Sequence, residues 1–407
     1  MKLLFVHQNC PGQFKHLAPF FAATAENEVV FITRQGKPDL AGIRKIEYRP
    51  ARQPSGSTHR YLRLTEEGVL NGQAVARVAM TLKREGFRPD IIIAHVGWGE
   101  ALYLKEVWAD TPLIGYFEWY YRARGSDVGF LEQRPPDPDT ACRMQTRNSL
   151  HLMNLELADW GITPTHWQWQ QHPDGYRQRI SIIHEGLDTD RIKPDAEASG
   201  SVRQGLRLTA GDEVVTYVAR NLEPYRGFQT FMRAAGIILE RRPKTHILVV
   251  GADGVSYGQR PADGCCYREQ LLQEVDLDLA RIHFLGRIEY RQFLRVLQLS
   301  AAHIYLTVPF VLSWSMLEAM AAGCLVIGSR TPPVEEVIRD GHNGLLVDFF
   351  SPQEVADAVD RVLDHPDRMA SLRRAARETI VQRYSLEICL PQQVRLIEQL
   401  VRDFTPQ

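Results

Sequence analysis

Short runs of consecutive apolar and β-branched residues alternate along this chain with longer stretches whose apolar positions recur at helical spacing. Runs without a polar face fit strands covered on both sides, and strands alternating with amphipathic helices fit βα units wound around a parallel sheet. Two such series are present. The first places strands at 3–7, 29–33, 91–95, 113–117, 160–164 and 180–184; the second places them at 214–219, 245–251, 282–285, 303–308, 325–328 and 344–347. Between the series, Thr189-Asp190-Arg191-Ile192-Lys193-Pro194 and the Gly/Ser/Ala stretch up to Ser201 read as a linker, which sets a junction near residues 190–205. The pattern predicts an α/β chain in two parallel-sheet domains, 1–195 and 205–385. A capped helix starting after Tyr384-Ser385 is expected over 386–407 and is expected to pack back toward the first domain.

Size agrees with two domains, because 407 residues exceed what one ordinary core holds. No period of 20–50 residues repeats, which argues against a solenoid. With 44% hydrophobic residues, 24% charged residues and a net charge of −1, the chain has the composition of a soluble globular enzyme. It carries no global field to attract nucleic acid or an anionic membrane, so anionic ligands must be caught by local basic sites. The six cysteines show neither metal-ligand nor disulfide-framework spacing, which fits a reducing cytoplasm. The apolar start Leu3-Leu4-Phe5-Val6 stops at His7, too short for a signal segment, and no later run reaches membrane-spanning length. The expected location is the cytoplasm, with at most peripheral contact at an inner membrane face.

In open α/β sheets ligands bind beyond the carboxyl ends of the strands, so the residues just after each strand are the informative ones. The strand at 214–219 is followed by Arg220-Asn221-Leu222-Glu223-Pro224-Tyr225-Arg226-Gly227. Two fixed positive charges at a helix N-terminus, whose free N–H groups and dipole already favour an anion, make a seat for a diphosphate. After 303–308, Ser313-Trp314-Ser315-Met316-Leu317-Glu318 opens a second helix. Its first N–H groups are expected to face the same diphosphate, and Glu318 to accept hydrogen bonds from ribose hydroxyls. Ser315-x-x-Glu318 also reads as a capping box, which on its own is the stronger interpretation. Gly251 begins a flexible loop at another strand end, and Gly286-Arg287 offers backbone on which a flat base can rest.

In the first half, Gly12 either lets backbone approach a ligand or simply makes a tight turn. Its segment is not Gly-x-Gly-x-x-Gly, which argues against a nicotinamide enzyme. His95, Gly97 and Trp98 share one loop and suit sugar recognition, although a lone histidine is more often structural. Glu118 lies in Tyr116-Phe117-Glu118-Trp119-Tyr120-Tyr121, where desolvation by four aromatic neighbours suits a proton acceptor. The plain alternative pairs it with Arg122 or Arg124.

Together these segments resemble the nucleotide-sugar-dependent retaining glycosyltransferases of family 4, over nearly the whole chain and most sharply in its second half. Family members carry an Arg, five residues, then a Lys on the donor pyrophosphate; Arg220 and Arg226 stand at those positions, and Arg for Lys keeps the charge and adds a bidentate fork. Phe284-Leu285-Gly286, Leu317-Glu318-Ala319-Met320-Ala321 with Gly323, and Gly341-His342-Asn343-Gly344-Leu345-Leu346-Val347 match the family pattern. Ile183-His184-Glu185-Gly186-Leu187-Asp188-Thr189 looks like its segment entering the interdomain linker. The resemblance implies the GT-B fold, in which two Rossmann-like domains face each other across a cleft, the first binding acceptor and the second donor. It implies transfer of a sugar from a UDP- or GDP-type nucleoside-diphosphate sugar to a hydroxyl of a saccharide or lipid-linked acceptor, with retained anomeric configuration. On this basis Arg220, Arg226 and Glu118 form the catalytic set. Gly12, Gly251, Gly286, Arg287, Ser313, Trp314, Ser315 and Glu318 join the two arginines in donor binding. His95, Gly97 and Trp98 join Glu118 in acceptor binding. No cofactor and no metal are expected, since guanidinium and helix N–H groups take the cation's place and Asp188-Thr189-Asp190 belongs to the linker entry.

Two departures bear on chemistry. The family's donor motif has a Glu, seven residues, then a second Glu; the second maps to Glu318, but the first falls on Phe310, an apolar side chain where a carboxylate touches the donor sugar. Glu118 replaces a histidine that ends this strand in many relatives, so acceptor activation by a carboxylate is expected. Phe310 lends weight to a non-catalytic glycan- or nucleotide-binding homologue, and a nucleotide-sugar epimerase on the same fold is a further alternative.

Overall fold

The computed structural model describes residues 1–203, 205–262 and 264–405. The chain divides into two units: Met1–Val128, Pro135–Gly186 and the chain from Leu386 onward form the first, and Gly129–Arg134 with Leu187–Ser385 form the second. Each unit is a parallel sheet with helices, a Rossmann-like half.

The first sheet holds β1 (Lys2–His7), β2 (Glu28–Arg34), β3 (Arg44–Tyr48), β4 (Ile91–His95), β5 (Leu113–Tyr116), β6 (Trp160–Thr163) and β7 (Ile180–Ile182), in the order β3-β2-β1-β4-β5-β6-β7. Its strands are apolar on both faces because both are covered. Leu4, Val6, Val30, Ile32 and Ile92 pack into one core layer with Val75 and Leu82 of the helix Arg63–Arg84. The alternate residues Leu3, Phe5, Val29, Phe31 and Ile91 enter the other layer with Phe14, Phe21 and Ile397 of the terminal helix Leu386–Asp403.

The second unit carries a short antiparallel pair, β8 (Ser199–Arg203) and β9 (Leu206–Thr209), beside its main sheet. That sheet holds β10 (Val214–Asn221), β11 (His246–Ala252), β12 (Ile282–Gly286), β13 (Ala302–Tyr305), β14 (Leu325–Ser329) and β15 (Leu345–Val347), in the order β12-β11-β10-β13-β14-β15. In both sheets the first strand has the next strand on one side and a later one on the other. The topological switch points, where an open sheet parts its loops to admit a ligand, therefore lie between β1 and β4 and between β10 and β13.

Several details differ from the sequence expectation. β3 was not anticipated: Arg44-Lys45-Ile46-Glu47-Tyr48 has too few apolar residues to signal a strand, and it is an edge strand whose charges deter further pairing. The stretch read as linker up to Ser201 instead contributes β8, because Ala198 and Leu208 find cover against Val214 and Leu248. β13 ends at Tyr305 rather than at 308; Thr307 N–H turns to the Ser329 hydroxyl (3.0 Å) and Val308 N–H to the Tyr225 carbonyl (3.1 Å). β7 stops at Ile182, and His184 Nδ1 accepts the Gly186 N–H (3.0 Å).

Candidate functional site

In the first unit the switch between β1 and β4 gathers side chains from three strand ends. β1 ends in His7, whose Nδ1 accepts the Asn9 N–H (2.7 Å) and whose Nε2 lies 2.5 Å from Gln13 Oε1. Gly12 opens the turn Gly12–Phe14 at φ +54°, and a Cβ there would sit 2.4 Å from the His7 ring. The turn can pass only as glycine. Gln13 Nε2 donates to Glu118 Oε1 (2.9 Å), and His95 Nε2, at the end of β4, lies 3.5 Å from Glu118 Oε2. The His95 ring stacks on Trp98 (4.3 Å, 19°), lies 4.8 Å from the His7 ring and packs over Tyr116. Gly97 clears the His95 ring, since a Cβ would meet Cε1 at 2.8 Å.

Beneath this layer the buried Tyr116 hydroxyl donates to Glu185 Oε1, and His184 Nε2 lies 3.2 Å from Glu185 Oε2. Burial, then the neighbouring His95, hold His7 well below the ordinary imidazole pKa, so it is neutral at pH 7. Burial, then Glu185, push the Tyr116 phenol well above its ordinary value. Arg122, one of the two arginines weighed as partners of Glu118, donates to the carbonyls of Gln171 (2.7 Å) and His172 (3.2 Å).

In the second unit the loops after β10, β11 and β13 meet. Arg226 is buried, and its Nη1 reaches the Tyr305 hydroxyl (3.1 Å), the Thr307 hydroxyl (2.6 Å) and the Val311 carbonyl (3.1 Å). One guanidinium thus ties both lips of the β10/β13 switch. Among the described residues no carboxylate lies within ion-pairing distance of it. Arg220, the next-to-last residue of β10, has an exposed side chain, so the two arginines are placed differently. The buried Glu223 carboxylate accepts the N–H groups of Ser256 (2.9 Å), Tyr257 (3.1 Å) and Gly258 (3.0 Å), which brings the loop after β11 onto the loop after β10. Tyr257 then lies under the Arg226 guanidinium (5.5 Å) and edge-on to Phe310 (5.1 Å), with Tyr225 5.9 Å from Phe310. The position expected to carry a carboxylate is therefore part of an aromatic cluster.

The helix Trp314–Ala321 begins after Ser313, whose hydroxyl accepts the Ser315 N–H (3.3 Å) and whose own N–H donates to the Tyr305 hydroxyl (2.9 Å). The cap is Ser313 rather than Ser315, so Glu318 is not at the capping-box position; its Oε1 accepts the Tyr290 hydroxyl (2.8 Å). Trp314 and Ser315 are half-buried in the first turn. Gly251 lacks a side chain because a Cβ would press on the Ala219 carbonyl at 2.8 Å. Gly286 ends β12 at φ +65° with open space around it, and Arg287 beside it is exposed.

Sequence reasoning missed His7, Gln13, Glu185, Glu223, Tyr257, Tyr290, Tyr305 and Thr307. Only His7 carried a local signal, a polar ring closing an otherwise apolar strand. Among the described residues no helix is long and apolar enough to cross a membrane, and no group of three or more His, Cys, Asp or Glu side chains is placed to hold a metal ion.

Comparison with known proteins bears on both units. Residues 25–192 match the family model described as Glycosyl transferase family 4 group, and residues 201–379 match Glycosyl transferases group 1. The D-inositol 3-phosphate glycosyltransferase of Corynebacterium urealyticum is 27% identical over 330 residues, covering 78% of this chain and 73% of its own. That of Corynebacterium glutamicum is 30% identical over 291 residues, covering 69% and 66%. The fold is shared with the sucrose-phosphate synthase of Thermosynechococcus elongatus (TM-score 0.72, 18% identity, 99% of each chain). It is shared as well with Anabaena HepE, solved in complex with UDP-glucose (TM-score 0.68, 18% identity, 98% of this chain and 100% of that one).

Proposed function

Because the chain belongs to the family-4 glycosyltransferases, with two Rossmann-like halves of GT-B type, we propose that it moves a sugar from a nucleoside-diphosphate sugar to an acceptor hydroxyl, with retention and without a metal ion. The observation that carries this reading is Arg226. A guanidinium removed from water and held by two hydroxyls and a carbonyl, with no carboxylate partner among the described residues, has its donors aligned and its charge uncompensated. A diphosphate supplies that compensation. Breaking the anomeric bond leaves growing negative charge on the nucleoside diphosphate, and a fixed cation stabilises that charge more in the transition state than in the ground state. Arg220 adds a second, exposed charge, and the first N–H groups after Ser313 add dipoles of the same sign.

In this reading Glu118 accepts the proton of the acceptor hydroxyl, and His95 and Trp98 offer the imidazole and the flat apolar face that suit a sugar ring. Glu318 and the backbone at Gly286 are assigned to the nucleoside. The UDP-glucose bound by HepE and the D-inositol 3-phosphate in the relatives' name are the first donor and acceptor to try, followed by GDP- and ADP-sugars and by saccharide or lipid-linked acceptors. The test is a panel of such pairs in the presence of EDTA, reading free nucleotide and, by proton NMR, the anomeric configuration of the product. Acceptor-dependent nucleotide release with a retained anomer is expected. A donor sugar isomerised without acceptor, or no turnover of any pair, overturns the reading.

A further inference from the structure

Three side chains at the β1/β4 switch form one directional chain of hydrogen bonds, and a fourth, His95, approaches its end. His7 Nδ1 takes the Asn9 N–H, so the ring proton is on Nε2 and is donated to Gln13 Oε1. That bond decides which way the Gln13 amide faces. Turned the other way, its NH₂ group would meet the imidazole N–H donor to donor; as it stands, Nε2 points at Glu118 Oε1 at 2.9 Å. On the far side His95 Nδ1 takes the Gly97 N–H (3.1 Å), which leaves Nε2–H on the side of Glu118 Oε2, 3.5 Å away and without a hydrogen bond. His7 and His95 are 1% and 2% exposed, whereas the Glu118 side chain is 31% exposed. The chain runs from a buried ring to one carboxylate that solvent, or a ligand, can reach.

We propose that His7 and Gln13 are positioning residues that hold the Glu118 carboxylate anionic and in a single orientation for the proton of an incoming acceptor hydroxyl. The inference rests on Glu118 being the proton acceptor of the proposed transfer. An amide N–H and an imidazole N–H both favour the charged form of the carboxyl they face, opposing the desolvation that the surrounding rings impose. The phenols of Tyr116 and Tyr121 also lie within electrostatic range of Glu118. Both stay protonated because burial raises their pKa values, with Tyr116 bonded to Glu185 and Tyr121 accepting from Arg147 (2.8 Å). Gly12 belongs to the same device, since any side chain there would displace the His7 ring.

The test is the titration of Glu118 in the full chain, followed by carbon-13 NMR of labelled glutamate carboxyls, with the resonance assigned by its loss in Glu118→Gln. Gln13→Met removes the amide donor at nearly constant volume, and is expected to raise the Glu118 midpoint by about one pH unit with the melting temperature unchanged. Gln13→Glu places a second carboxylate against Oε1 and is expected to raise it further, since neighbouring carboxylates share a proton. In turnover, both variants are expected to lower kcat and leave donor KM unchanged. A Glu118 midpoint identical in the wild type, Gln13→Met and Gln13→Glu overturns the positioning role while leaving the transferase reading intact. Wild-type kcat in Glu118→Gln removes Glu118 as proton acceptor, and the positioning role with it.

Discussion

Arg226 and Arg220 stand six positions apart in the sequence, yet their surroundings assign them different physics. The Arg226 guanidinium is buried and bonded to Tyr305, Thr307 and Val311; Arg220 is exposed. Removing Arg226 takes away a preorganised charge and also strands polar groups inside the second unit. Arg226→Ala is expected to lose about 2–4 kcal/mol of transition-state stabilisation, a fall in kcat/KM of roughly thirty- to several-hundred-fold. It is also expected to lose about 1–3 kcal/mol of stability in urea unfolding. Arg220→Ala is expected to lower kcat/KM without moving the urea midpoint. Equal effects of both substitutions on stability would contradict the difference in burial. The sequence showed that two cations lie at this strand end; it did not show which one is desolvated, because that depends on the loop after β13, some 80 residues further on.

At the scale of elements, the site in the second unit depends on one loop holding another. Glu223 accepts three consecutive backbone N–H groups of the 256–258 segment, and the Asn221 amide donates to the Ser256 hydroxyl (2.6 Å). Consecutive N–H groups aimed at one carboxylate form an anion-binding concavity that is here filled by the protein itself. Glu223→Gln turns an acceptor-only group into one that presents N–H donors to N–H donors. We expect faster amide exchange at Ser256, Tyr257 and Gly258 and a donor KM raised about tenfold, consistent with losing about 1.4 kcal/mol of loop order. Exchange at these three amides unchanged from the wild type would remove Glu223 from this role. The parallel strands were legible from their apolar runs, because a strand covered on both faces has no polar side to hide it. The charged edge strand β3 and the β8–β9 pair were not, because their stability comes from a neighbouring strand and a patch of core rather than from their own composition.

Over the whole molecule, four buried histidines make the fold sensitive to acid, one of them His7, which burial holds well below its ordinary value. Burial holds His151 and His303 down to about 3 and His172 to about 4. In the unfolded chain these rings titrate near the ordinary value of about 6.5. Above that pH both states are neutral and the histidines contribute no pH dependence. As pH falls below it the unfolded chain binds protons that the folded one excludes, so stability declines with a slope of up to about 1.4 kcal/mol per pH unit for each ring. His7, His151 and His172 lie in the first unit and His303 in the second, so the first unit is expected to lose stability more steeply between pH 6 and pH 4.5. Urea unfolding at pH 7, 6 and 5 measures this, and a midpoint independent of pH would contradict it.

Local pattern by itself determined the two parallel sheets, the family to which they belong, and the strand ends where chemistry had to be sought. Each of these is written in windows of a dozen residues. Tertiary structure alone decided that Gln13 meets Glu118 across 105 positions, that Phe310 joins Tyr225 and Tyr257, and that Glu318 accepts from Tyr290 rather than capping its own helix. Those contacts follow from which strand ends are neighbours. Strand order is set by the packing of the whole sheet and is recorded in no single segment of the chain.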